Sequence, residues 1–573
     1  MKASDYIVEF FEKKGIKVIF GYIGGMITHL VDSIDRRPNV QFVQTYHEQT
    51  AAIAAEGYAI ESGLPGVAIS TSGPGATNLM TGIADAYFGS IPVIFITGQV
   101  NSYEYKYDKP IRQQGFQEAD VVSIVRPISK YAVLVDDPAK LCYELEKAYH
   151  IAISGRKGPV VLDITMDVTR TDIDPNSCLH FTPKQAQTKA IDWSGIIGAI
   201  DKTKRPMMLI GGGCQGLGPE LDSLLKQWHL PVVTSLMGRG VIDERYSNYI
   251  GMIGSYGNRD ANMAISQCDL LIALGTRLDT RQTGAKLDGF IPNATIIHVD
   301  IDESELTNHR LQNRICVNSD VRRFIGELFR QKFNMHIDSS WLNWIYQIKK
   351  DYNQDREIER FVANKSPYKF FQVFNEISEE DVAITTDIGQ NQMWAAQTIR
   401  LKRGQKFVTS GGLAPMGFSL PVAIGIAFAN PKRTVYCFNG DGGFHMACQS
   451  LLLISQYNLN IKVIVLNNEA LGMITQFQHL YFNDHMAGTT PCGGYLVPNI
   501  QAMAVSYNVP YKSLASSTLC NQSLLDTFKN RNLILDYRMT GLTSVSPKLE
   551  YNQPIYNPSP HLAKSELDNA INL

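Results

Sequence analysis

Residues 435–443 read VYCFNGDGG, and residues 462–468 read KVIVLNN. Each stretch begins with a run of mainly apolar residues, many of them β-branched or aromatic, which is typical of a buried strand in a parallel sheet. Each run ends in polar residues, with Asp441 between two glycines in the first stretch and Asn468 at the end of the second. The two stretches therefore predict an α/β unit that carries polar groups at the ends of two strands.

The same alternation of strand-like and helix-like stretches fills three segments of the chain, which is the pattern of parallel α/β sheets. The first and third segments resemble two diverged copies of one architecture. We therefore predict an α/β protein with three doubly wound parallel-sheet domains. The strongest strand signals lie at residues 67–70, 93–96, 160–164, 207–210, 270–274, 295–300, 435–438 and 462–466.

Changes in composition mark the predicted domain boundaries. A polar linker covers residues 171–190, and the charged stretch 336–365 predicts a long exposed helix with a connection. The end of the chain is polar and proline-rich, which predicts a tail lying over the surface. The predicted domains are residues 1–170, 188–335 and 366–545, followed by the tail at 546–573.

Length, charge and cysteine content exclude several classes of protein. A chain of 573 residues is too long for a single core. The net charge of −2 gives no electrostatic reason to expect nucleic acid or an anionic membrane as partner. Nine cysteines without a CxxC pair favour reduced thiols in a cytoplasmic protein. Residues 1–15 predict an amphipathic helix rather than a signal peptide, and no apolar run reaches the ~20 residues that span a bilayer.

The polar groups at the two strand ends suit a magnesium ion and a phosphate group. Asp441, the amide of Asn468 and the carbonyl of Ala470 are oxygen ligands of the kind that Mg²⁺ accepts. Glycines between a strand and a helix let the backbone approach a phosphate at the helix N-terminus. Either motif alone could be a simple turn or loop, but their pairing favours a site for a bound diphosphate. The glycines concerned are Gly440, Gly442 and Gly443.

A further stretch, residues 46–59, reads YHEQTAAIAAEGYA and places Glu48 before an alanine-rich run. Taken alone, Glu48 would be interpreted as a solvated glutamate at the start of a helix. Together with the Gly-Asp-Gly and Asn-Asn motifs, it makes the chain resemble thiamine-diphosphate enzymes. The resemblance extends over almost the whole chain and is to the acetolactate-synthase-like branch.

The resemblance implies thiamine diphosphate and Mg²⁺ as cofactors, bound between a pyrimidine-binding N-terminal domain and a diphosphate-binding C-terminal domain. Glu48 would exchange a proton with the pyrimidine ring of the cofactor. Met416 matches the large apolar residue that bends the cofactor. Gly389 and Gln390 match a loop on the phosphate side, although Asn391 stands where the family usually has a histidine.

The resemblance also implies residues near the substrate and an oligomeric protein. Gly25, Phe116, Gln117 and Lys130 match active-site positions, with Gln117 as a hydrogen-bond partner of the substrate. A lysine at the channel could attract an anionic substrate. Because relatives build each site from domains of two subunits, we expect a homodimer or homotetramer with active sites at the interface.

The middle domain resembles the FAD-binding type. Gly211 and Gly212 follow a strand, although a tight turn explains them equally well. Residues 275–281, GTRLDTR, resemble the segment whose final arginine contacts FAD in acetolactate synthases. In those relatives FAD is structural and does no net redox chemistry, and the alternative is an empty, vestigial domain. The remaining flavin contacts that the resemblance assigns are Arg156, Arg281, Asp300 and Asp320.

The implied reaction decarboxylates pyruvate and transfers a two-carbon acetyl unit to a second carbonyl compound. Three departures from the amino-acid-pathway enzymes favour a keto-sugar nucleotide as acceptor. The segment 101–114 is longer and carries Arg112 among several tyrosines, Phe477 replaces an acceptor-selecting tryptophan near Met473, and the tail resembles homologues in yersiniose-type surface-polysaccharide pathways. The alternatives are an acetolactate synthase, a 2-keto acid decarboxylase or oxidase, and a catalytically silent homologue.

Overall fold

The computed structural model describes residues 1–183 and 189–571, and it contains three six-stranded sheets whose paired strands all run parallel. The prediction of three doubly wound parallel-sheet α/β domains is confirmed. The strands are β1 (Val18–Tyr22), β2 (Gln41–Gln44), β3 (Gly66–Ser70), β4 (Val93–Gln99), β5 (Tyr131–Val135), β6 (Val160–Thr165), β7 (Pro206–Ile210), β8 (Val232–Thr234), β9 (Tyr249–Met252), β10 (Leu270–Leu274), β11 (Thr295–Asp300), β12 (Arg314–Asn318), β13 (Ala383–Thr386), β14 (Lys406–Val408), β15 (Val435–Gly440), β16 (Ile461–Asn467), β17 (Tyr511–Ala515) and β18 (Leu533–Arg538).

Helices connect the strands of each sheet and cover its faces. They are α1 (Ala3–Lys13), α2 (Thr28–Asp35), α3 (Glu48–Ser62), α4 (Pro74–Gly89), α5 (Val121–Val125), α6 (Leu141–Ile153), α7 (Met166–Arg170), α8 (Trp193–Lys202), α9 (Gly218–Trp228), α10 (Arg259–Ser266), α11 (Thr280–Thr283), α12 (Glu303–Thr307), α13 (Val321–Leu328), α14 (Ser339–Tyr352), α15 (Gln354–Phe361), α16 (Ser366–Ile377), α17 (Gln390–Thr398), α18 (Ser419–Ala429), α19 (Asp441–Met446), α20 (Leu451–Gln456), α21 (Gly472–Tyr481), α22 (Ile500–Ser506), α23 (Asn521–Phe528) and α24 (Lys564–Ile571).

The N-terminal and C-terminal sheets share one topology, β2-β1-β3-β4-β6-β5 and β14-β13-β15-β16-β18-β17, whereas the middle sheet runs β12-β11-β10-β7-β8-β9. In the interior of each sheet the order of strands reverses: between β1 and β3, between β7 and β10, and between β13 and β15. In doubly wound sheets, ligands bind in the crevice at the carboxyl ends of the strands at such a reversal. Each domain therefore has a crevice suited to a ligand at this reversal.

The N-terminal and C-terminal domains of one chain are joined where α3 crosses α18. A Cβ on Gly57 would lie 2.1 Å from the carbonyl oxygen of Val422, and one on Gly425 would lie 1.9 Å from that of Ala54. The two helices therefore touch through their backbones, which only glycine permits at these positions. The contact holds the helix that begins at Glu48 against the C-terminal domain.

Two segments differ from the sequence-based expectation. Residues 336–365 contain two helices, α14 and α15, rather than one long exposed helix, because Trp341, Ile345 and Ile348 form a buried face at helical spacing. The tail does more than lie over the surface, since Ile555 is buried in the core of the middle domain. Of the predicted linker and tail, residues 184–188 and 572–573 lie outside the described residues.

The cysteines of the described chain are reduced. All nine cysteines lie within the described residues, and each carries a free thiol. Among the helices of residues 1–183 and 189–571, none combines the length and apolar character needed to cross a membrane.

A pair of buried carboxyl groups lies between α3 and α4. Glu56 is fully buried, and neither of its carboxyl oxygens accepts a hydrogen bond from the described residues. Burial, together with the nearby Asp85 carboxylate, raises the pKa of Glu56 well above its ordinary value of 4.5. Burial also raises the pKa of Asp85 to about 6, although the Ser410 hydroxyl donates to it at 2.5 Å. Glu56 therefore keeps its proton to a higher pH in the folded chain than an exposed glutamate does.

Because the pKa of Glu56 is higher in the folded chain than in the unfolded chain, we expect the free energy of unfolding to fall as pH rises. An unfolded chain releases the proton near pH 4.5, so the stability contribution is complete below that pH and is lost as pH rises towards the raised folded pKa. Glu56→Gln is neutral at every pH and should therefore raise the thermal midpoint, relative to the native chain, more at about pH 8 than at about pH 5. Equal shifts at both pH values would contradict this assignment.

Candidate active site

The crevice between β13 and β15 contains the predicted phosphate-side residues. β13 leads into Asp387 and Gly389, and β15 ends at Gly440, immediately before Asp441 begins α19. A Cβ on Gly443 would lie 2.2 Å from the Asp387 carboxylate, so a larger residue would displace it. Asp387 is fully buried, and burial raises its pKa to about 6. Its backbone N–H donors are Ile388 at 2.9 Å, Gly417 at 3.0 Å and Ser419 at 3.0 Å.

Three oxygen atoms converge at this crevice. The side-chain amide of Asn468 ends 3.2 Å from Oδ2 of Asp441 and 2.9 Å from the carbonyl oxygen of Ala470, and the atom at these distances is the amide oxygen when the NH₂ group faces the Thr543 hydroxyl. Oxygens at these distances repel one another unless a positive group lies between them. A hard divalent cation binds carboxylate, amide and carbonyl oxygens together. The structure therefore brings the three predicted metal ligands together in a donor set that fits Mg²⁺.

Buried polar atoms without partners line two of the crevices. Among the described residues, none donates to or accepts from these side-chain oxygens, although buried polar groups are nearly always hydrogen-bonded. These unpartnered oxygens therefore fit a polar ligand in the N-terminal crevice and another in the C-terminal crevice. The atoms are Ser72 Oγ after β3, and Thr386 Oγ1, Asn391 Oδ1 and Asn439 Oδ1 beside β13 and β15.

Met416 and Tyr495 lie on either side of the Gly-Asp-Gly turn. A Cβ on Gly442 would lie 3.1 Å from the terminal methyl group of Met416 and 3.1 Å from the Tyr495 hydroxyl. That hydroxyl donates to Oδ1 of Asp441 at 2.6 Å. The predicted residue Met416 is thus brought to the crevice. Tyr495 was not predicted, because a single tyrosine in a loop gives no sequence signal.

Helix α21 forms another wall of the same crevice. Met473 Cγ lies 3.8 Å from the position of a Cβ on Gly389, which places Met473 at the predicted phosphate-side loop. Phe477 lies further along the helix with 45% of its surface exposed, and its ring centre is 4.7 Å from that of Tyr481. The Lys548 ammonium lies 5.8 Å from the centre of the Phe477 ring. Phe477 therefore belongs to the rim of the crevice.

The N-terminal crevice brings Glu48 and Gln117 to one turn. A Cβ on Gly75 would lie 3.2 Å from Oε1 of Glu48, and one on Gly73 would lie 2.8 Å from the carbonyl oxygen of Gln117. Glu48 is only 7% exposed, and its Oε2 accepts a hydrogen bond from Asn78 at 2.9 Å. Gln117 has a φ of 61°, a costly conformation for a non-glycine residue that is common at functional sites. Asn78 was not predicted.

Gly25 and Phe116 lie at the edge of the N-terminal crevice. Gly25 follows β1, and its loop is tied to the loop after β3 by a hydrogen bond from the Met26 N–H to the Thr71 hydroxyl at 3.3 Å. A Cβ on Gly25 would meet no atom within 4 Å, so this position is open. Phe116, next to Gln117, is 80% exposed. The loop therefore offers an uncovered aromatic ring.

Lys130 does not join these residues in the described chain. Its ammonium group donates to the carbonyl oxygens of Ile151 and, at 2.7 Å, Ser154 at the end of α6. Burial lowers its pKa to about 8. In this geometry the Lys130 ammonium group is hydrogen-bonded to carbonyl oxygens at the end of α6. It is therefore not free to attract a substrate, as the sequence-based prediction had it.

Most of the predicted flavin contacts have structural partners. Asp320 caps α13 and accepts from its first N–H groups. Arg156 forms ion pairs with Asp302 at 3.2 Å and Glu305 at 2.6 Å. Burial raises the pKa of Asp300 to about 6. These positions can be explained by the fold of the domain without a ligand.

The glycines and Arg281 lie at the reversal between β7 and β10. A Cβ on Gly211 would lie 2.2 Å from the carbonyl oxygen of Gly275, and one on Gly212 would lie 3.1 Å from Met237, so loop packing accounts for both. Arg281 is half-buried, burial lowers its pKa, and its guanidinium group donates to Oε1 of Gln392 at 3.3 Å. In the described ranges no carboxylate lies within 4 Å of its guanidinium group. Arg281 is therefore the predicted flavin contact that best fits a polar ligand.

Comparisons with known proteins agree with this arrangement. Three domain models match: the N-terminal TPP binding domain of thiamine pyrophosphate enzymes over residues 1–124, their central domain over 194–328 and their C-terminal TPP binding domain over 387–532. Similar full-length proteins are acetolactate synthases. That of Arthrospira platensis is 35% identical, with 93% of each chain covered. Isozyme 2 large subunit of Escherichia coli is 36% identical over 86% of this chain and 87% of the relative.

Paired crevices of this kind, one with a buried carboxylate and one with a set of cation ligands, define a thiamine-diphosphate-dependent enzyme. The large subunit of Lactococcus lactis acetolactate synthase is likewise 33% identical over 95% of this chain and 94% of the relative. The chain belongs to the acetolactate-synthase-like family of thiamine pyrophosphate enzymes.

Asp441→Ala should abolish the Mg²⁺-dependent binding of thiamine diphosphate, because the diphosphate and the remaining oxygens would lose the only charged ligand of the set. Calorimetric titration of the cofactor in excess Mg²⁺ measures the effect. Asp484→Asn is the control, since Asp484 lies in the same domain with its side chain 58% exposed. Unchanged cofactor affinity in Asp441→Ala would remove Asp441 from the metal site.

Glu48→Gln should keep the fold and the bound cofactor but lose activity by roughly 10²–10⁴-fold, because an amide cannot transfer a proton as a carboxyl group does. The hydrogen bond from Asn78 can be kept by the amide oxygen, so the side chain should stay in place. Pyruvate consumption by the variant, measured beside cofactor binding, tests this role. Near-normal turnover would exclude it.

Proposed function

We propose that this protein decarboxylates pyruvate and joins the resulting two-carbon acetyl unit to the carbonyl group of a keto-sugar nucleotide. Bound thiamine diphosphate would supply the nucleophile that this chemistry needs. Asp441, Asn468 and the Ala470 carbonyl would hold Mg²⁺ against the diphosphate, and Glu48 would hold and return a proton at the pyrimidine end. The gathering of the Asp441 carboxylate, the Asn468 amide and the Ala470 carbonyl at the C-terminal crevice is the observation that carries the cofactor assignment.

An ordered basic loop supports the choice of acceptor. The Glu118 carboxylate accepts from the backbone N–H groups of Lys106 at 2.8 Å, Gln114 at 2.7 Å and Gly115 at 2.9 Å, which organises segment 101–114. Arg112 is exposed on this loop, and no carboxylate of the described residues pairs with it. A free guanidinium group can bind a diphosphate through two hydrogen bonds. The loop thus supports an acceptor that carries a diphosphate.

Acetolactate synthase is the second candidate. Relatives with this name are 33–36% identical over most of the chain, and their name describes a product made from pyruvate. Phe477 is the specific feature against a small acceptor, because phenylalanine is smaller than the tryptophan that the family has at this position and leaves more room beside the reacting carbonyl group. A decarboxylase or oxidase is more distant, and the presence of both Glu48 and Asp441 disfavours a silent homologue.

A homodimer or homotetramer would complete the site. Within one described chain, Glu48 is hydrogen-bonded to Asn78 of its own domain. Leu413, Met446 and Ile474 are exposed apolar residues beside the C-terminal crevice. Exposed apolar surface of this kind is usually covered by a partner. The N-terminal domain of a second copy is the cover that would bring a glutamate to the crevice.

FAD is a further proposed ligand, at the reversal between β7 and β10. The half-buried guanidinium group of Arg281, which donates to Gln392 but forms no ion pair within the described residues, supports it, and such a crevice is where doubly wound domains bind nucleotides. In this role FAD would be structural. Denatured protein should release flavin that absorbs visible light, and a protein that neither contains nor takes up FAD on titration would favour the empty domain.

Arg112→Ala should raise the KM for a keto-sugar nucleotide by roughly 10–150-fold, because one charge-assisted contact is worth roughly 1.5–3 kcal/mol, and it should leave pyruvate decarboxylation nearly unchanged. The assay supplies pyruvate with or without the sugar nucleotide and follows CO₂ and product mass. Arg126→Ala, an exposed arginine of the same domain, is the control. Rapid conversion of pyruvate alone to acetolactate, with no use of the sugar, would establish acetolactate synthase instead.

A further inference from the structure

The chain segment after β18, residues 540–548, crosses the C-terminal crevice on its way to the middle domain. We call it the crossing segment. Gln476 of α21 holds it in the manner of a paired strand: its Oε1 accepts from the Val545 N–H at 2.9 Å, and its Nε2 donates to the Val545 carbonyl at 3.0 Å. Thr543 lies two residues earlier and is buried. The crossing segment is therefore fixed beside Asn468.

Thr543 forms hydrogen bonds with two side chains of the crevice. Its hydroxyl lies 2.7 Å from Oε1 of Gln390 and 2.8 Å from the amide nitrogen of Asn468. The Gln390 amide is fixed in turn, because its Nε2 donates to the Thr543 carbonyl at 3.0 Å. Gln390 therefore presents an acceptor to the hydroxyl, and the single hydroxyl proton must go to Gln390.

This use of the proton decides the orientation of Asn468. With its proton on Gln390, the Thr543 oxygen has only lone pairs left for Asn468, so it must face the NH₂ group of the amide. The amide oxygen is then turned towards Asp441 and Ala470. The opposite orientation would satisfy Asp441 and Ala470 with N–H donors, but it would need the one proton of Thr543 for two acceptors.

We infer that Thr543 is a positioning residue for the metal site, which turns the amide oxygen of Asn468 towards the cation. The inference rests on the proposed thiamine-diphosphate function. It goes further in making the crossing segment part of the metal site, although Thr543 is 75 positions from Asn468 along the chain. Groups that orient metal ligands typically change metal affinity by about 10–100-fold when they are removed.

Titration of the full-length protein with Mg²⁺ at a fixed thiamine diphosphate concentration tests the inference, with cofactor binding measured by calorimetry. Thr543→Val lacks the hydroxyl, so its Mg²⁺ midpoint should rise by about 10–100-fold. Thr543→Ser retains the hydroxyl and should bind as the native chain does. Thr543→Ala provides a smaller variant that also lacks the hydroxyl, in case valine disturbs folding. Thr518→Val, at an exposed threonine of the same domain, is the control.

The outcomes separate this inference from the proposed function. If the native chain binds the cofactor with Mg²⁺ and Asp441→Ala does not, the proposed metal site stands. Midpoints for Thr543→Val and Thr543→Ala equal to the native midpoint would then overturn the positioning role alone. A native chain whose cofactor binding does not depend on a divalent cation would overturn both. An equal loss of affinity in Thr543→Ser would also overturn the role of the hydroxyl.

Discussion

The backbone contact between α3 and α18 is the constraint on which the arrangement of the two outer domains depends. Gly57 and Gly425 allow these helices to approach until carbonyl oxygens of one helix meet the Cα positions of the other. Because α3 begins at Glu48 and α18 follows the loop of Met416, the contact sets the orientation of both predicted functional elements. Any side chain at either glycine would separate the domains.

Buried polar groups also connect the two outer domains beside this helix contact. Asp85 accepts from Ser410, and the Ser410 hydroxyl in turn accepts from the Ala414 N–H at 2.9 Å. The loop that carries Met416 is thus tied to α4 of the N-terminal domain. A buried carboxyl pair is costly unless a proton or donor compensates it. Ser410 therefore links the Met416 loop directly to a buried carboxyl pair whose pKa values are raised.

The fold and the main polar motifs could be predicted because their signals are local. A buried parallel strand shows as a short apolar run, and Asp441 and Asn468 each stand directly at the end of one. Glu48 was found from its alanine-rich helix and from family resemblance. Lys130 shows the limit of such matching, since its ammonium group serves the end of α6 in the described chain. Asn78, Tyr495 and Thr543 have no local pattern that distinguishes them from ordinary polar residues.

The sequence by itself determined three parallel sheets and the polar residues at their strand ends. Both are specified locally, because the spacing of apolar residues sets each strand and the turn residues set its end within a few positions. Only the tertiary structure decided which of these groups meet. The strand order places the loops of β13 and β15 side by side, and the crossing segment brings Thr543 to Asn468 across 75 positions. Such contacts depend on how whole elements pack, and packing is a property of the folded chain rather than of any stretch of its sequence.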